Sequence, residues 1–117
     1  MAFDIDKIRR AETRKLNAIV KAVPEARKPI AQSLTRELLF MACTLEELRD
    51  NVAENGAVEL FKNGKQEMLR ESPALKSYST LIQRYSLLYK QLCDLLPKDE
   101  ARKAEDELMQ FIEANKP

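Results

Sequence analysis

Lys7, Arg10, Arg14 and Lys21 recur at spacings of three, four and seven residues. That rhythm gathers four cations on one side of a helix, where they suit phosphates or an acidic partner. It fits a plain solvated face as well. The acidic residues offer less. Glu46–Glu47 and Asp106–Glu107 are chain neighbours, and adjacent side chains on a helix diverge by about 100°, so neither pair converges on a shared site. Asp50 and Glu54 have helical spacing but no supporting ligands, which reads as solvated surface. The 117 residues contain no histidine, which removes Ser–His and Cys–His nucleophile pairs and imidazole metal ligation. Cys43 and Cys93 sit in apolar helical stretches. They read as free buried thiols, and two thiolates without histidine do not complete a four-ligand zinc site. The phosphate-binding patterns GxxxxGK(S/T) and GxGxxG, the GxSxG elbow, paired CxxC and HExxH are all absent. The expectation is a protein without catalytic residues, cofactor or metal.

The composition asks for helices to carry these residues. Hydrophobic residues make up 44% and charged ones 33%, with two glycines and five prolines. So few backbone breakers leave little material for the turns of an all-β domain. The length fits one domain. The net charge of +1 hides strong blocks: +4 over residues 1–40, −4 over 41–61, +4 over 62–93 and −3 over 94–117. Blocks of alternating sign suggest packing between segments or subunits more than one broad basic face. The opening Met-Ala-Phe-Asp lacks the apolar core of a signal peptide, and no apolar run approaches ~18 residues. A cytoplasmic protein without membrane contact is expected.

A basic N-terminal helix is expected over about 5–22, with Ile5, Ile8, Leu16, Ile19 and Val23 on its inner side and Asp4 as its cap. Pro24 and Pro29 bracket a connection, Pro29 suiting a first helical turn. A long helix follows to about residue 53. Leu34, Leu38, Met41, Leu45, Leu48 and Val52 alternate in steps of four and three, a heptad seam, which Leu39 and Phe40 widen to a second buried side. Asn55-Gly56 is a left-handed stop. Asn63-Gly64 then predicts a type I′ turn in a small hairpin, about 57–61 against 66–70. An isolated hairpin is marginal in water, so it must lean on the helices or on another subunit. Ser72-Pro73 restarts a helix with cap and first-turn proline. Leu75, Tyr78, Ile82, Tyr85, Tyr89, Leu92 and Leu96 form its seam, up to the stop at Pro97. Core packing is the simpler reading of the tyrosines. An acidic last helix over about 99–114 has Asp99 as cap and an apolar stripe of Ala101, Ala104, Leu108, Phe111 and Ile112. Together these pieces predict a mainly α domain. A heptad-patterned antiparallel pair spans 29–96, the hairpin joins its helices, and the first and last helices pack on it.

The order of these features resembles a known family. A long helix ends near Gly56, Asn63-Gly64 turns, and Ser72-Pro73 restarts the chain. Tyr78, Ile82 and Tyr85 follow, and Leu95-Leu96-Pro97 closes the run. Over roughly residues 34–100 this is similar to the terminase small subunits of tailed phages and prophages. The resemblance implies a non-catalytic role in DNA packaging: a homo-oligomer that binds double-stranded viral DNA and delivers it to the large terminase subunit. The sequence departs from the pattern twice. Residues 1–23 hold one helix where many members open with a helix-turn-helix, and Lys98-Asp99-Glu100 follows Pro97 where others have serine and arginine. If DNA is bound, Lys7, Arg10, Arg14 and Lys21 are the residues expected to hold it, repeated around an oligomer. The other reading is a helical adaptor or regulator that meets a protein through its apolar seam and never touches nucleic acid.

Overall fold

The computed structural model describes residues 5–114; the side chains of Glu100, Ala101 and Ala104 also lie outside the described set. The expected cap Asp4, and Ala101 and Ala104 of the last apolar stripe, therefore lie outside the described residues. The element order is α1 (Ile5–Ala22), a 3₁₀ turn (Glu25–Arg27), α2 (Lys28–Asn55), β1 (Val58–Asn63), β2 (Gln66–Glu71), α3 (Pro73–Cys93) and α4 (Lys98–Ala114). The chain is mainly helical, with one two-stranded antiparallel hairpin between its two long helices.

Local chemistry sets most boundaries. Pro29 sits in the first turn of α2, and Gly56 ends that helix with φ 87° and ψ 167°, a region open to glycine at little cost. Ser72 caps α3, its Oγ accepting a hydrogen bond from the Leu75 N–H at 3.4 Å, with Pro73 opening the helix. α3 ends at Cys93 and not at Leu96. The Asp94 amide still bonds Lys90 at 2.9 Å, and those of Leu95 and Leu96 then tighten to Leu92 and Cys93 at 3.1 and 3.0 Å before Pro97. Asp99 lies inside α4, one residue beyond its start. A carboxylate there opposes the positive end of the helix dipole without being the cap.

The hairpin turn also differs from the expectation. Asn63 pairs with Gln66 as the last rung of an unbroken register that begins at Val58 and Glu71, so Gly64 and Lys65 form the two-residue loop. Gly64 has φ 63°, and no residue other than glycine has positive φ among those described. Positive φ at the first loop position alone marks type II′, whereas type I′ needs it at both. Asn63 is thus a strand residue.

α2 packs against α3, with α1 against α2 and α4 against α3. The molecule is a rod of 61 × 24 × 24 Å. Its core joins Leu16, Ile19 and Val23 of α1 with Ala31, Leu38 and Leu45 of α2; Tyr85, Tyr89, Leu92, Cys93 and Leu96 complete it with Leu108 of α4. Leu34, Met41, Tyr78 and Ile82 pack half-buried at its edge, while Leu48, Val52 and Leu75 are half-buried outside it. The buried cluster thus draws on all four helices. No hydrophobic side chain is buried from residue 46 to residue 84. Phe40, expected to widen the buried face, is 68% exposed. None of the hairpin's side chains joins the core, and every residue of β2 is exposed.

Candidate nucleic-acid interface

α1 carries the site predicted from the sequence. At 3.6 residues per turn, Lys7, Arg10, Arg14 and Lys21 fall within about 60° of arc and span roughly 21 Å along the axis. All four are exposed, while Leu16 and Ile19 on the opposite side of α1 are buried. The helix is fastened by one face and offers cations on the other. Residues 5–22 hold six Lys/Arg against Asp6 and Glu12. Asp6 pairs with Arg9 at 3.7 Å and Glu12 with Lys15 at 3.3 Å. Arg10 and Arg14 border a shallow depression with Arg9 and Thr13. Arg9 and Thr13 were missed by counting one stripe; the Arg9-Arg10 doublet is the sequence signal for them. An elongated cationic strip suits point contacts with successive phosphates of a polyanion.

A polar cluster fixes α1 in place. The Tyr85 hydroxyl donates to Glu12 Oε1 at 2.5 Å and accepts from Lys15 Nζ at 3.4 Å. Lys15 also stands over the Tyr89 and Phe111 rings, 5.1 and 5.0 Å from their centroids, a cation–π arrangement. The Tyr85 and Phe111 rings lie 5.5 Å apart. One residue pair of α1 thereby ties together α1, α3 and α4. Burial first, then the negative charge of Glu12, pushes the Tyr85 hydroxyl well above its ordinary range, so it stays a neutral donor. Tyr89 shifts the same way, mainly through burial. Nothing in the heptad pattern announces these contacts, which join residues 73 positions apart in the chain.

The remaining tyrosine, Tyr78, accepts a hydrogen bond from Arg49 Nη2 at 2.7 Å. The three tyrosines thus serve packing and fastening. Asp50 and Glu54 are brought together with no third ligand: among the described residues, no group of three or more His, Cys, Asp or Glu side chains is placed to hold a metal ion. Cys43, half-buried, and Cys93, buried, are both free. Among the described residues, no helix is long and apolar enough to cross a membrane. Comparison with protein-family models, curated proteins and solved structures finds no match to this chain.

Proposed function

We propose that the chain is a non-catalytic subunit of phage or prophage DNA packaging, of the terminase small-subunit kind. In this reading it assembles through its helix pair and helps present double-stranded DNA to a large terminase subunit. The observation that carries the reading is the cationic arc of α1, exposed along its length and fastened from behind by the Glu12–Tyr85–Lys15 cluster. One such strip makes a handful of phosphate contacts, which is weak alone; copies arranged around an assembly add their contacts. Half-buried apolar side chains of the helix pair, among them Leu48, Val52, Leu75 and Ile82, supply apolar surface for that assembly. The same surface also suits the adaptor reading, in which a protein partner covers it and no nucleic acid is bound.

The test is DNA binding by the chain and by a variant with Lys7, Arg10, Arg14 and Lys21 all changed to Glu. The native chain is expected to bind duplex DNA at low salt with an affinity that falls steeply as salt rises. The variant is expected to lose about 100-fold or more while keeping its helical spectrum, since all four positions are exposed. Unchanged affinity removes the stripe from the mechanism. Absence of DNA binding by an assembled native chain transfers the case to the adaptor reading.

A further inference from the structure

We propose that the groove between α2 and α3, bordered by Lys76 and Arg84, is a second binding strip for the phosphate backbone of duplex DNA, separate from α1. The inference rests on the DNA half of the packaging reading and uses none of the cations named there.

It starts from charge. Of the four helices, α3 is the one with no Asp or Glu among its residues, and it carries Lys76, Arg84 and Lys90. The next carboxylate along the chain, Asp94, lies past the helix end, one turn from Lys90 and well beyond Arg84. Lys76 and Arg84 are both exposed, and neither forms an ion pair among the described residues. The hairpin makes the contrast: Lys62 and Arg70 stand 3.6 and 2.6 Å from Glu67 and Glu59, so their charge is met within the molecule.

The fold makes these two cations the ends of one groove. From Lys76 to Arg84 the helix makes roughly two turns, about 12 Å along its axis. Ser77, Thr80 and Leu81 line the space between them, and Thr44 and Leu48 line it from α2. Glu46 and Glu47 of α2 are not among the lining residues. The Thr80 and Thr44 hydroxyls turn back on their own helices, donating to the carbonyls of Lys76 at 3.3 Å and Phe40 at 3.0 Å. That leaves the exposed Ser77 hydroxyl and the two cations as donors to a ligand.

Such a groove calls for an anion, and its spacing favours a nucleic acid over a protein. Duplex DNA carries a negative charge about every 1.7 Å of its axis, so it meets two cations at any separation. An acidic helix meets both only if its carboxylates repeat at the same interval. Leu48 and Leu81 at the floor are already half-buried, which leaves no deep apolar pocket of the kind that anchors a protein partner. No residue of α1 lines the groove. On α3, Arg84 points about 100° away from Tyr85, the residue that holds α1. The two strips therefore contact phosphates independently, and their contributions add.

Titration of the full chain with a labelled duplex over a range of salt concentrations tests this. Lys76→Gln combined with Arg84→Gln is expected to keep the helical spectrum, since both positions are exposed, and to weaken binding about 10-fold near 0.1 M salt. The slope of log affinity against log salt is expected to flatten by about 2, one for each lost phosphate contact. Added to the four-residue α1 variant, the same pair is expected to remove a further factor of about 10. Native affinity and slope in the Lys76/Arg84 variant overturn the proposal and leave the α1 stripe standing. A weakened Lys76/Arg84 variant beside an α1 variant of native affinity supports the groove and removes the stripe. Native DNA affinity with a changed mass in light scattering assigns the groove to a protein contact and overturns the proposal. A native chain that binds no duplex overturns both readings.

Discussion

Cys93 shows how a single buried group couples the fold to solution conditions. Its thiol is fully enclosed. Burial first, then the charges of Glu105 and Asp94, pushes it up to about 11 from 9.0. Folding thus favours the neutral thiol. Its contribution is complete below the unfolded value of 9.0 and is lost as pH rises through about 11. The Tyr85 and Tyr89 hydroxyls, also raised chiefly by burial, act in the same direction at still higher pH. Urea midpoints are therefore expected to hold steady from about pH 7 to about 8.5 and then decline, with a smaller decline in Cys93→Ala. A midpoint that falls on the acid side of neutrality and stays constant above pH 9 contradicts this. Histidine has no part in the profile, because the chain has none.

Element by element, the sequence was most legible where a boundary has a local cause. The span of α1, the proline-opened start of α2, the stop at Gly56 and the Ser72-Pro73 restart all follow from caps, periodicity or proline geometry. The turn was misplaced by one residue because Asn63-Gly64 is a strong I′ signal, whereas cross-strand pairing of Asn63 with Gln66 selects the II′ pattern. Gly64→Ala probes this assignment. A Cβ at Gly64 meets nothing within 4 Å, so the cost is backbone alone, about 1–2 kcal/mol at positive φ. Because no hairpin side chain joins the core, the cost is expected in hairpin amide protection. Thermal unfolding of the helices in dilute solution is expected to move by less than about 0.5 kcal/mol. A loss of helical stability equal to the full backbone cost shows instead that the hairpin is part of the core.

On the scale of the molecule, burial is uneven along the rod. The apolar spacing does not reveal how many helices surround a residue, and that number decides burial. Leu38 and Leu45 are buried where α1 and α4 complete the layer; Leu48 and Val52, in the same rhythm, are half-buried where they do not. The cationic stripe of α1 could be read from spacing. Its fastening to Tyr85 could not, since that depends on distant elements meeting. Hydrogen exchange is expected to show two classes of amide in dilute solution: slow ones around the Leu16, Leu38 and Leu92 core, and much faster ones across residues 46–84. Uniform protection contradicts an uneven core.

The loop of Gly64 and Lys65 has a practical consequence. Lys65 is an exposed basic residue at the tip of a strand pair whose side chains stay outside the core, the kind of place where trypsin cuts first. A single nick there severs the connection between the two long helices without disturbing any residue of the core. Both fragments are expected to elute together as one folded particle, separating only in denaturant.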